Sequence, residues 1–181
     1  MIGAHYRPAN LGTSRGFGLI EVMIAVVVVA IGLLGFAKMQ ALALGSTHNS
    51  GTRSLIALQA AALAGAMRAN EAYWAAGLAP ASFTVTGSTV SDTTLAGLTT
   101  DCTAGTCTPA QLAAFDVKNW GTSLAALFPN SSGTIACSTV VGSPVTCTIT
   151  VSWSEKTVAI NAATASGSAP ATLNYALLVQ P

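Results

Sequence analysis

Residues 16–38 read GFGLIEVMIAVVVVAIGLLGFAK, and from Phe17 to Ala37 the run holds one charge, Glu21, in twenty-one residues. As a helix rising roughly 1.5 Å per residue it spans about 31 Å, enough to cross the hydrocarbon core of a bilayer. The segment before it, MIGAHYRPANLGTSRG, is short and polar and carries Arg7 and Arg15 with no acid. Two basic residues before the span, against the single Lys38 after it, place the N-terminus in the cytoplasm and the rest of the chain across the membrane. Lys38 closes the span on the outer side. A secretory signal would carry a small-residue cleavage site after the apolar run. Ala41 and Ala43 can be aligned with such a site, but that reading leaves Glu21 without a purpose.

Composition agrees with an anchored, extracytoplasmic chain. Of 181 residues, 51% are hydrophobic and only 7% charged, against about 25% charged in an ordinary soluble domain. Seven basic and six acidic side chains give a net charge of +1. That balance offers no basic footprint for nucleic acid and no acidic block to solvate a disordered tail. The length suits one domain of moderate size. Two histidines, His5 and His48, are too few for most histidine-based metal or catalytic sites.

Glu21 is the informative residue. A carboxylate inside a membrane helix costs on the order of 2.5–3.5 kcal/mol at the centre and less near an end. Four residues into the run, it can snorkel to the cytoplasmic headgroups. The run Gly16-Phe17-Gly18-Leu19-Ile20-Glu21-Val22-Met23-Ile24-Ala25 also resembles the class III signal of type IV pilins and type II secretion pseudopilins. The resemblance implies that a prepilin peptidase cuts between Gly16 and Phe17 on the cytoplasmic side and methylates the new amine of Phe17. It makes Glu21 the assembly glutamate. Gly18 departs from the family, where threonine is commonest, and leaves the scissile pair intact. The chemistry is coherent, because a carboxylate in a low-dielectric bundle needs a cationic partner. The freed amine of a neighbouring Phe17 would supply one and set axial register. Loss of Arg7 and Arg15 leaves five basic against six acidic side chains.

Within the apolar run, Gly32 and Gly35 each cost about 1 kcal/mol relative to alanine in a helix. They read either as contact points for neighbouring helices or as places where regular turns loosen in an assembly. From Met39 to about Ala76 the pattern turns amphipathic. Leu55, Leu58, Ala62, Ala66, Ala69 and Tyr73 recur at spacings of three and four, and Ile56, Leu63, Met67 and Trp74 widen the stripe. Ser54, Arg68 and Glu71 fall on the other side. Such a helix packs one face on a globular head. Gly45, Gly51 and His48-Asn49-Ser50 predict a kink or frayed start, and Gly77 and Pro80 predict the end.

Residues 81–108 are rich in Thr, Ser and Gly and read as loop with one short strand around Phe83–Val85. Thr108-Pro109-Ala110-Gln111 then opens a helix, with an N-cap threonine, proline in the first turn and glutamine three residues on. Val117, Trp120, Leu124, Leu127 and Phe128 give it an apolar face, and the segment from Pro129 to Gly133 stops it. Ile135–Val141 and Val145–Trp153 predict a hairpin around Gly142-Ser143-Pro144. Val145, Cys147, Ile149, Val151 and Trp153 alternate with Thr146, Thr148, Thr150 and Ser152. Residues 157–170 read as a polar loop. A last strand follows over Thr172–Val179, with Leu173, Tyr175, Leu177 and Val179 on one face. Trp74, Trp120 and Trp153 read as core or interface residues, and Asp116 beside Lys118 as a solvated helix face.

Four cysteines allow three pairings. Cys137 and Cys147 each lie five residues from Gly142, so the hairpin sets them opposite each other. Cross-strand partners stand about 4.5–5.5 Å apart, near the span a disulfide needs. Two local disulfides, Cys102–Cys107 and Cys137–Cys147, are expected in an oxidising compartment. The rival is a four-thiolate zinc site, whose usual spacing fits the first pair and not the second.

The resemblance extends beyond the signal to the type IV pilus modification proteins, the PilV minor pilins. Ile31-Gly32-Leu33-Leu34-Gly35, Met67-Arg68-Ala69-Asn70, the block Phe115-Asp116-Val117 with Trp120, Leu127-Phe128-Pro129, and Val151 with Trp153 carry it. It implies a low-abundance subunit that helps initiate or modify a pilus with other minor and major pilins and the inner-membrane assembly machinery. The protein would sit in the inner membrane with a periplasmic head and then in the surface pilus. The expected architecture is α+β. A leader at 1–16 is removed, a membrane and assembly helix spans 17–38, and an amphipathic helix spans 39–76. A head at 77–181 provides a small antiparallel sheet for the helix. A minor pseudopilin of type II secretion is the near alternative, and a single-pass protein with a ligand-binding outer domain is another. A tethered enzyme is disfavoured, because there is no G-x-S-x-G, H-E-x-x-H or Gly-rich phosphate loop. The acids Asp92, Asp101, Asp116 and Glu155 are also scattered. No cofactor, metal or catalytic residue is expected.

Overall fold

The computed structural model describes residues 16–138, 140, 142–155 and 171–181. The leader up to Arg15, Val141 at the end of the expected first hairpin strand and the polar loop expected over 157–170 lie outside the described residues. The element order is α1 (Leu19–Ala69), α2 (Glu71–Trp74), β1 (Ser82–Thr86), β2 (Thr89–Val90), α3 (Thr93–Gly97), α4 (Pro109–Leu127), β3 (Ser132–Cys137), β4 (Cys147–Glu155) and β5 (Ala171–Val179). The protein is α+β, a long N-terminal helix with a five-stranded antiparallel sheet of order β2-β1-β3-β4-β5.

α1 is one helix of 51 residues. It runs unbroken through Gly32, Gly35, Gly45 and Gly51, so the frayed start expected around Gly45 and Gly51 is not there. Glycine weakens a helix by about 1 kcal/mol but keeps its N–H and C=O in the ladder. The Thr52 and Ser54 hydroxyls donate back to the carbonyls of His48 and Ser50, both at 3.1 Å. α1 stops earlier than Gly77, at Asn70, which leaves helical geometry at φ −120° and ψ 53°. The buried Asn70 side chain donates to the Pro109 carbonyl at 2.8 Å, tying the end of α1 to the start of α4. Gly77 then turns the chain at φ +68°.

Two compact units divide the chain, one ending at Ala43 and the other running from Leu44 to Pro181. In the first, the described residues are exposed along the whole helix from Leu19 to Ala41. The second contains the core. Its inner sheet face is built in rows across the strands. Phe83, Ile135, Ile149 and Leu177 form one row, and Val85, Gly133, Val151 and Tyr175 the next. The alternation of β4 is as regular as its sequence, with Cys147, Ile149, Val151, Trp153 and Glu155 buried. Ser132 and every second residue after it face away, which leaves a Thr/Ser-rich outer surface.

The helices cover the inner face. α4 contributes Ala113, Ala114, Val117, Trp120, Gly121 and Leu124. A Cβ at Gly133 would strike the Trp120 ring, and one at Gly121 would strike the Gly87 carbonyl and Val85. These two glycines let α4 lie close on β1 and β3. Trp120 also donates its indole N–H to the Gln59 carbonyl of α1 at 2.9 Å, so one side chain joins both long helices and the sheet.

Three sequence expectations are corrected. The buried stripe of α1 is Ile56, Ala60, Leu63, Ala64 and Met67, while Leu55 and Leu58 are 47% and 63% exposed. In an alanine-rich helix the face is set by what it meets, here Trp120 and the sheet. The expected loop over 81–108 also contains β2 and α3, the latter capped by Asp92 accepting from the Leu95 N–H at 2.9 Å. Finally, Asp116 and Lys118 are not a solvated face. Lys118 donates to the carbonyls of Ala96 and Leu98 at the end of α3, and Asp116 is half-buried.

Candidate functional site

Gly16, Phe17 and Gly18 precede the helix and carry no regular structure. The Gly18 carbonyl accepts from the N–H groups of Glu21 and Val22 at 3.0 and 3.3 Å, so α1 begins immediately after it. The Gly16–Phe17 bond therefore lies in non-helical backbone, and both flanking residues are exposed, Phe17 at 84%. A Cβ added at Gly16 meets nothing within 4 Å. Nothing in this chain's own packing demands glycine there.

Glu21 lies in the first turn of α1. An acidic side chain in the first turn is favoured by the positive end of the helix dipole. From Val22 to Leu33 the residues that follow Glu21 are all apolar and all exposed. Gly32 and Gly35 have open space where a Cβ would stand. The candidate site is thus the exposed, non-helical Gly16–Phe17 pair, a first-turn carboxylate and an uncovered apolar helix, all on one continuous segment.

The head supplies covalent and ionic fastenings. Cys102 is bonded to Cys107 with Cα atoms 5.7 Å apart, and Cys137 to Cys147 with Cα atoms 4.0 Å apart. The second link joins directly paired residues of β3 and β4, in a register symmetric about Gly142. Neither strand has the expected bounds. β3 starts at Ser132 instead of Ile135, and the link closes the ladder at Cys137 and Cys147, leaving Val145 in the loop. No free cysteine occurs among the described residues.

Sequence reasoning missed one ion pair. Glu155 is 6% exposed, yet its carboxylate accepts from Arg53 Nε at 3.2 Å and Arg53 Nη2 at 3.0 Å, and from the Trp153 indole N–H at 3.0 Å. The Arg53 guanidinium holds the Glu155 carboxyl below the usual carboxylate range, against the opposing effect of burial. The partners are 102 residues apart in sequence, and no local pattern announces them. Elsewhere, burial pushes the Asp116 carboxyl up, and bonds from Thr103 hold Asp101 down. None of these acids has a second acid beside it in a described contact. Among the described residues no group of three or more His, Cys, Asp or Glu is placed to hold a metal ion.

A family model, the prokaryotic N-terminal methylation motif, matches residues 12–37. No curated protein and no solved structure matches the chain. The matched segment contains Gly16, Phe17 and Glu21 together with most of the apolar run. It indicates a prepilin-type protein whose N-terminus is processed by a peptidase, and it supports inner-membrane anchoring and a structural role. With the long helix and antiparallel sheet, the match supports a type IV pilin-like protein.

Proposed function

We propose that the chain is a minor type IV pilin of the PilV kind, which joins other minor and major pilins to initiate or modify a pilus. The carrying observation is the continuous segment in which an exposed, unwound Gly16–Phe17 bond leads into an uncovered apolar helix with Glu21 in its first turn. Prepilin peptidase cuts that bond and methylates Phe17. Glu21 then neutralises the Phe17 amine of a neighbouring subunit. The leader stays in the cytoplasm, and the disulfide-bonded head folds in the periplasm before reaching the surface in the pilus.

Intact mass and N-terminal sequencing of membrane-extracted protein test the first step. The expected product starts at methylated Phe17. A product starting beyond Ala43, or an uncut chain in cells with active prepilin peptidase, overturns the reading. Glu21→Gln tests the second step. It keeps the shape and leaves cleavage and insertion intact, but it strands a buried cation, at a cost on the order of 3–5 kcal/mol. The variant is expected to disappear from sheared pili at matched protein level, with fewer pili by electron microscopy. Normal incorporation would remove the assembly role.

A further inference from the structure

Within the second unit, α1 is held in two different ways. From Ile56 onward it is held by burial, with Ile56, Ala60 and Met67 at 0% exposure. No residue between Leu44 and Leu55 is buried. Beside those turns lies a groove of about 680 Å³, with His48, Thr52 and Leu55 on one wall and Phe128, Asn130 and Trp153 on the other. Apolar packing therefore does not close this part of the helix onto the head. Arg53 crosses from the uncovered stretch to the end of β4 and binds Glu155 through two nitrogens.

We propose that Arg53 and Glu155 form a latch that fixes the uncovered turns of α1, residues 44–55, to the head, and that opening it frees those turns while the core from Ile56 onward stays folded. Most exposed ion pairs contribute little, because water competes for both partners. This one differs on the carboxylate side. Glu155 is enclosed, and the loss of Arg53 leaves it with the Trp153 indole as its remaining described hydrogen-bond donor. The planar guanidinium fork engages both oxygens, a geometry that lysine cannot reproduce. The released turns have little intrinsic reason to stay helical. They contain Gly45 and Gly51, and Ser46, Thr47, Asn49, Ser50 and Thr52 are weak helix formers. The latch thus sets how far down α1 the head carries a rigid helix. The inference rests on the geometry of the head alone and is independent of the pilin reading.

Hydrogen exchange of the full chain in detergent tests it, with residues 48–55 and 60–67 followed separately. Arg53 is 59% exposed, so Arg53→Gln is expected to fold. Protection at 48–55 should fall about tenfold or more, the size of a lost hydrogen bond to a charged group, while protection at 60–67 holds. Arg53→Lys, which keeps the charge without the fork, should lie between the wild type and Arg53→Gln. Glu155→Gln, which removes the charge from the other side, should repeat the Arg53→Gln pattern. Unchanged protection at 48–55 in Arg53→Gln overturns the latch. So does a loss spread equally over 48–55 and 60–67, which would make the pair an ordinary contributor to global stability.

Discussion

Two carboxylates in the head illustrate how environment, rather than residue type, sets the sign of an electrostatic contribution. Glu155 is depressed chiefly by the side-chain bond from Arg53. A group whose folded pKa is depressed adds stability that is present above its unfolded value, about 4.3 for Glu, and is lost as pH falls through the folded value. Asp116 is raised by desolvation, and it behaves oppositely. Its charged form is penalised in the folded state, so it subtracts stability at neutral pH, and the penalty fades as pH falls through its raised value. Asp116→Asn is therefore expected to raise the melting temperature at pH 7 and to lose that advantage at about pH 3, where the wild-type carboxyl is already protonated. Thermal melts of the two proteins across that range check it. An equal gain at both pH values would assign the effect to something other than charge burial. Neither environment was legible beforehand, since the Asp116 and Glu155 positions carry no local mark of what folds over them.

At the scale of elements, α4 shows where sequence suffices. Its start is specified by four adjacent residues. Thr108 Oγ1 accepts from the Gln111 N–H at 3.3 Å, Gln111 returns a bond to the Thr108 N–H at 2.9 Å, and Pro109 occupies the first turn. Thr108→Ala removes one arm of that box and is expected to destabilise the head by about 1 kcal/mol, measured by urea unfolding. A change below a few tenths would mean that the Asn70–Pro109 tie, not the cap, fixes this end. Period-two alternation in β4 and β5, and the symmetry of two cysteines about Gly142, were equally local and equally readable. The face of α1 was legible only in part: Ile56, Leu63 and Met67 are buried as expected, but Leu55 and Leu58 are not. Alanine gives no contrast around the helix, so Leu55 and Leu58 drew the stripe one way while Trp120 and the sheet drew it another. β2 and α3 are short, and they exist because β1 and α4 offer them partners. In a Thr/Ser/Gly-rich stretch that support cannot be seen from the sequence alone.

The whole molecule separates its two tasks along the chain. Among the described residues every core residue lies at Ile56 or beyond, and both disulfides lie in the second unit. The first unit presents Phe17, Ile20, Val28, Leu34 and Phe36 uncovered, which only a bilayer or other helices can shield from water. Folding and anchoring therefore draw on different residues, and a chain that begins at Leu44 should keep the first without the second. Its exposed Leu44, Leu55 and Leu58 are single aliphatic side chains of the sort that soluble surfaces tolerate. Expressed in an oxidising compartment, residues 44–181 are expected to be soluble and monomeric without detergent. Near-UV dichroism should report the buried Trp74, Trp120 and Trp153 in fixed surroundings. The melting transition should fall within about 5 °C of the detergent-solubilised full chain, since no core contact is lost. Reduction should lower it, because a lost disulfide typically costs about 2–4 kcal/mol. Aggregation of the 44–181 chain, or tryptophan signals like those of the unfolded protein, would show that the apolar half of α1 is needed to fold the head. The separation of tasks would then fail.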